Sequence, residues 1–222
     1  MLMALDTSTR TVGLALYAGG QVLSESIWAS RDHHTVELAP AVAEMLKKTG
    51  KQVTELQALA VALGPGSFTG LRIGLALAKG LALARRLELV GIPTLDALAV
   101  AQPVSAATLA AVLKAGRGRL AVSWYQAEGE TWQSLKKIEV LTPQELSQSI
   151  QTPTLVCGEL DEEERQMLSR KRKNIILASP AQSLRRPSFL AELAWKRWQS
   201  GQVDDAATLA PLYIHYNEPI PG

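Results

Sequence analysis

Short apolar runs separated by polar turns open the chain. Leu2 to Leu5 and Val12 to Tyr17 flank the turn Asp6-Thr7-Ser8-Thr9-Arg10, and Gly19-Gly20 sets off a third run, Val22 to Trp28. This punctuation predicts three antiparallel strands. From His34 to Lys48 the spacing becomes helical: Val36, Ala39, Ala43 and Leu46 share one side, while Leu38, Val42 and Met45 form a second apolar side. A surface helix needs only one apolar stripe, so the width of this one predicts a second buried contact, such as another protein chain. Leu56 to Leu63 then reads as a buried strand, Leu71 to Arg86 as a second helix closed by basic residues, and Val90 to Leu95 as a further apolar run.

The order recurs from Ala106. Thr108 to Leu113, Leu120 to Gln126 and Trp132 to Leu141 read as strands, Pro143 to Ile150 as a short helix and Thr154 to Cys157 as a strand. Helix Glu159 to Ser169, strand Ile175 to Ala178 and helix Pro187 to Gln199 follow. Two halves with the same order predict an α/β fold built from a duplicated βββαβα unit, with lobes over residues 1–105 and 106–222. The duplication rests on element order, since no repeat is visible residue by residue. Pro211 to Tyr216 is apolar enough to dock, and Asn217 to Gly222 reads as a loose tail.

Composition narrows the classes. A chain of 222 residues that is 47% hydrophobic can bury a substantial core. A net charge of +2 is too small to predict nucleic-acid binding by itself. The single cysteine, Cys157, lies in an apolar run and excludes an intrachain disulfide. No signal peptide or membrane span is evident, so the expected location is the cytoplasm.

The densest motif is Gly64-Pro65-Gly66-Ser67-Phe68-Thr69-Gly70-Leu71-Arg72-Ile73-Gly74. It misses the Walker loop, because no Lys-Ser/Thr follows, and misses the dinucleotide fingerprint by one position. Ser67 lacks the G-x-S-x-G frame of a nucleophile elbow. Gly66, Gly70, Gly74, Ala78 and Ala82 recur at every fourth position, drawing a ridge without bulky side chains. Another helix could approach it closely, or the chain's own sheet could.

Asp6 closes a strand and precedes Thr7, Ser8 and Thr9, a set suited to magnesium-bound phosphate, although the local spacing alone favours an Asx-type hairpin turn. His33 and His34 are adjacent and His215 is remote, so no H-x-x-x-H pair exists and no dedicated metal site is expected. Asp161 to Glu164 and Arg170 to Lys173 bracket one helix with the signs its dipole favours. Trp195 and Trp198 are expected in a core or interface.

Taken together, Asp6-Thr7-Ser8, Arg31-x-x-His34-Thr35-x-x-Leu38-x-Pro40, the glycine run from Gly64 to Gly74 and Ala78-Lys79-Gly80-Leu81 resemble the TsaB (YeaZ) family of bacterial tRNA threonylcarbamoyladenosine biosynthesis subunits. The resemblance covers the first lobe, with weaker echoes at Gly158-Glu159 and Pro211-Leu212-Tyr213. It implies a two-lobed actin-like ATPase fold of ribonuclease H-like type. It also implies a noncatalytic scaffold for a TsaD-type paralogue, which transfers threonylcarbamoyl to N6 of adenosine 37 in ANN-decoding tRNAs. The metal-binding histidine pair of that paralogue has no counterpart in Gly91 to Leu98.

On this resemblance no catalytic residue and no cofactor of its own are expected, ATP and Mg being used by partner subunits. Asp6, Thr7, Ser8 and Thr9 would form a degenerate nucleotide cleft. Leu38, Val42, Met45, Gly70, Gly74, Ala78 and Ala82 would form the partner interface. Expected partners are the TsaD-type paralogue, a TsaE-type ATPase, tRNA through the complex, and a second copy of the chain when the paralogue is absent. Lys114 to Arg119 depart from the family's Asp-Ala-Arg hairpin. The rival readings are a glycoprotease-like peptidase and a small ATPase or kinase using Asp6 and Thr9.

Overall fold

The computed structural model describes residues 1–30, 34–170 and 173–214; His33 and the end of the tail from His215 lie outside them. Two mixed sheets organise the chain. In the first, β1 (Leu2–Asp6), β2 (Thr11–Tyr17) and β3 (Val22–Ala29) run antiparallel, and β4 (Ala58–Ala62) and β5 (Glu88–Ile92) follow parallel to β1, in the order β3-β2-β1-β4-β5. β1 and β4 are central and buried on both faces, which is why they read as unbroken apolar runs.

Alternate residues of β1 serve different layers. Met3 and Leu5 meet α1 (His34–Thr49) and α2 (Phe68–Arg85), packing with Leu38, Val42, Met45, Leu75, Ala78 and Ala82. Leu2 and Ala4 meet the opposite layer, where α6 (Pro187–Gln199) contributes Leu190, Ala191 and Ala194. Trp195 packs edge-on between Tyr17 and Trp198, in the structural role expected of it.

The second sheet has the order β11-β10-β6-β7-β8, from β6 (Thr108–Gly116), β7 (Arg119–Glu128), β8 (Thr131–Ser134), β10 (Thr154–Gly158) and β11 (Ile175–Leu177); β9 (Glu139–Leu141) also pairs with β7. α4 (Pro143–Ser149) and α5 (Glu162–Arg170) cover one face through Leu146 and Leu168. α3 (Thr94–Val100) covers the other through Leu95 and Leu98. Both halves place antiparallel strands before an alternation of helix and strand, and the second half carries one extra strand, β9, ahead of its first helix. Two helices cross between them: α3 leaves the first sheet to pack beneath the second, and α6 leaves the second sheet to pack on the first.

Three expectations from sequence are corrected. Val90 to Leu95 is not one run, because Pro93 ends the strand and forms the N-cap of α3, a helix the pattern did not announce. Trp132 to Leu141 is two strands: β8 pairs with the end of β7 from Tyr125 to Glu128, and β9 pairs farther back with Leu120 to Val122. α5 starts at Glu162 rather than Glu159, since Asp161 and Glu164 accept each other's backbone N–H at 2.9 Å in a reciprocal cap. Among the described residues no helix is long and apolar enough to cross a membrane.

Candidate functional site at the cleft between the lobes

A cleft of about 1100 Å³ is lined from the first lobe by Thr9, Thr11, His34, Ser67 and Phe68, and from the second by Lys114, Glu159 and Asp161. Thr9 and Arg10 bring the end of the Asp6 turn to its wall, with Asp6 buried beneath. The Asp6 carboxylate is buried, with Oδ1 accepting from the Ser8 amide at 2.8 Å and Oδ2 accepting from Arg185 Nε at 2.9 Å. Arg185 also donates to Thr9 Oγ1 at 2.8 Å, to the Thr11 carbonyl at 3.0 Å and to Glu159. Burial on its own would lower the guanidinium's pKa; Asp6 and Glu159 outweigh it and raise the value.

The remaining hydroxyls of the turn are engaged internally. Thr7 Oγ1 donates to the Gly70 carbonyl at 2.7 Å, Ser8 Oγ shares a 2.8 Å hydrogen bond with Thr94 Oγ1, and Thr9 Oγ1 donates to Glu159 at 2.6 Å. Thr94 also accepts from the Gly64 amide at 3.0 Å, tying the start of α3 to the glycine turn. Of the four residues singled out here, only Thr9 lines the cleft, and Asp6 is neutralised from within. Arg185 was not anticipated.

The glycine run is a strand-to-helix turn packed on the chain itself. Ser67 caps α2, its Oγ accepting from the Gly70 amide at 3.2 Å, which moves the helix start back to Phe68. A Cβ added at Gly66 would collide with the Ser8 carbonyl, one at Gly70 with the Thr7 carbonyl, and one at Gly74 with Thr7 Oγ1. Ala78 and Ala82 continue the ridge into the core. Of the two explanations for the ridge, close packing on the chain's own sheet and turn is the one observed.

That finding corrects the expected interface. Leu38, Val42, Met45, Gly70, Gly74, Ala78 and Ala82 are all buried within this chain, so none presents a surface to a partner. The reason is geometric: α1 packs on α2, β2 and β3, and the glycines of the α2 ridge face the Thr7 turn. What the two neighbouring helices turn outward is a different set. Val36 is 66% exposed and Leu83 83% exposed, with Ala39, Pro40, Ala43, Ala76, Gly80 and Ala84 also on the surface.

The second-lobe hairpin that departs from the family pattern is tied within its own lobe. Lys114 Nζ contacts Asp161 at 2.6 Å and Glu164 at 2.5 Å. At the other rim, Arg72 stacks on Phe68 at 3.9 Å and donates to Tyr213 Oη at 2.9 Å, while the Leu212 amide reaches the Leu63 carbonyl at 2.7 Å. The segment from Pro211 to Ile214 therefore docks beside the glycine turn.

The model of the family described as TsaD, tRNA N6-adenosine threonylcarbamoyltransferase, matches residues 21–186, well over half of the chain. The chain belongs to the TsaD family. Within it the chain is of the TsaB (YeaZ) kind: it is 33% identical over 153 residues to the tRNA threonylcarbamoyladenosine biosynthesis protein TsaB of Escherichia coli K12, covering 68% of this chain and 66% of that one. The matched part is thus just under two thirds of that relative's length. Pseudomonas aeruginosa YeaZ superposes with a TM-score of 0.79 at 24% identity, covering 96% of this chain and 99% of that one. The ethanolamine utilization protein EutJ of Carboxydothermus hydrogenoformans superposes at 0.50 and 14%, covering 85% and 88%. These two likenesses concern the fold, which is the duplicated two-lobed actin-like one. In this TsaD-family chain the acidic turn at the end of β1 is held by an arginine of the same polypeptide.

Proposed function

We propose that the chain is a noncatalytic scaffold in the formation of N6-threonylcarbamoyladenosine in tRNA, and that it works by pairing with a TsaD-type catalytic paralogue. Family membership supports the pathway. The observation that carries the scaffold role is the internal saturation of the Asp6 turn: its carboxylate and hydroxyls already bond to Arg185, Gly70, Thr94 and Glu159. A turn committed in this way is a poor ligand for magnesium-bound phosphate, because the Asp6 charge is already paired with Arg185 and the Thr7 and Ser8 hydroxyls are turned to partners within the chain. ATP and Mg then belong to partner subunits, a TsaE-type ATPase among them, and tRNA is reached through the complex.

The pairing surface in this reading is the outward side of α1 and α2, not the buried side. Leu83 and Val36 supply apolar area, and the small residues Ala76, Gly80 and Ala84 let another helix approach closely. The same surface serves a self-dimer when the paralogue is missing.

The test is Leu83→Asp combined with Ala76→Asp, assayed for binding to the purified TsaD-type paralogue by calorimetry. Complementation of a depleted host is followed by mass spectrometry of tRNA nucleosides. Loss of binding and of the modified nucleoside with an unchanged melting temperature is the expected result. Binding at wild-type affinity would remove this surface from the proposal, and unchanged nucleoside after depletion would remove the function.

A further inference from the structure

Arg185 occupies an unusual position. It precedes α6 by two residues, yet its side chain is buried and reaches both lobes at the floor of the cleft. From the first lobe it takes Asp6 Oδ2 at the end of β1, Thr9 Oγ1 in the turn and the Thr11 carbonyl at the start of β2. From the second it takes Glu159, immediately after β10. Glu159 in turn accepts from Thr9 Oγ1 at 2.6 Å, closing a ring of contacts across the two lobes. One planar guanidinium with its fork of donors satisfies all four acceptors, which an ammonium could not do in a single geometry.

We propose that Arg185 is an inter-lobe lock: a cation built into the chain that holds Asp6 and Glu159 together and fixes the opening of the cleft without a ligand. Two carboxylates left facing one another would repel, and a diffusible cation could draw them together only when bound. The guanidinium is covalently present at all times, so the lobes are set at one angle. Its neighbour shows the contrast. Arg186 is half-exposed and pairs with Glu25 of β3 at 2.6 Å, an attachment within the first layer rather than between lobes. The exchanged helices α3 and α6 tie the lobes at their backs, and Arg185 ties them at the floor of the cleft. The consequence is a rigid body rather than a hinge, independent of which partner it meets.

The experiment uses the full chain with Glu159→Ala, which cuts the second lobe's grip at a partly exposed residue, and Arg185→Met, which removes the lock itself. Hydrogen–deuterium exchange is read separately on amides at the floor, residues 7–11 and 156–161, and in the sheet cores, residues 2–5 and 109–113. We expect exchange at the floor to rise about tenfold in Glu159→Ala with the cores unchanged, as for a local opening, and X-ray scattering to show a larger radius of gyration. Arg185→Met should give the same pattern more strongly; should that variant fail to fold, Glu159→Ala decides alone. Floor exchange within about twofold of wild type overturns the lock. So does a rise spread evenly over both sheet cores, which would make these residues contributors to general stability only.

Discussion

Gly74 of α2 lies so close to the Thr7 hydroxyl that any side chain there would displace it. Six residues along the same helix, Gly80 has nothing within 4 Å of where a Cβ would be. The two glycines are therefore opposite cases of one substitution. Gly74→Ala forces the Thr7 turn to shift and breaks its 2.7 Å bond to Gly70, and we expect it to destabilise by about 1–3 kcal/mol. Gly80→Ala removes backbone freedom from the unfolded chain at a helical position with room to spare. It should stabilise by about 0.5–1 kcal/mol. Urea unfolding of both variants checks the pair; equal effects would show that the α2 ridge is not packed on the turn as described.

Asp96, in the first turn of α3, accepts a 2.7 Å hydrogen bond from the buried Tyr125 hydroxyl. Burial raises the Asp96 pKa, and the bond from Tyr125 only partly opposes that shift. A carboxyl whose folded pKa is raised destabilises the folded state above its unfolded value, and the penalty disappears as pH falls below that value, about 3.9. Asp96→Asn keeps an acceptor for Tyr125 and removes the charge. We expect it to stabilise the fold at pH 7 by on the order of 1 kcal/mol, seen as a higher melting temperature, and to have no such effect near pH 3. Thermal unfolding at the two pH values tests the sign. A loss of stability at pH 7 would mean that the ionised carboxylate is the better acceptor here.

Cys157 in β10 is fully buried, and burial pushes its thiol up to about 12. Only the thiolate reacts with disulfide reagents. The native chain should therefore resist labelling by Ellman's reagent at pH 8, and labelling should appear with the unfolding transition in urea. Rapid native labelling would place the thiol in a channel open to solvent.

How much of this was legible depended on whether a residue's partner lay nearby in the chain. The central strands declared themselves because β1 and β4 are covered on both faces, and α6 was bounded correctly by Pro187 and Gln199. α3 was hidden because Pro93 sits between a strand and a helix that are both apolar. The acidic turn was found from Asp6 and its hydroxyls, but its cation was not. Arg185 lies 179 positions from Asp6, directly beside a second arginine, Arg186. Nothing local distinguishes the arginine that turns inward. The ridge of α2 was visible as a period of four, yet period alone cannot say whether the close neighbour is another chain or the chain's own turn.

The two sides of α1 give the sharpest division between stability and assembly. Leu38 is buried in the core that α1 shares with the first sheet, whereas Val36, two positions earlier, is mostly exposed. Leu38→Ala leaves a cavity under the helix and should cost about 2–5 kcal/mol. Val36→Asp changes a surface position of the first turn, where a negative charge also suits the helix dipole, and should alter stability by less than about 0.5 kcal/mol. If α1 pairs through its outward side, the ranking reverses for partner binding. Val36→Asp should weaken the complex at least tenfold by placing a charge in an apolar contact, while any Leu38→Ala protein that remains folded should bind almost normally. Measuring unfolding and partner affinity on the same two preparations separates the effects. Should Leu38→Ala lose binding while folded and Val36→Asp keep it, the buried side of α1 would have to open on assembly, and the rigid scaffold argued above would be wrong.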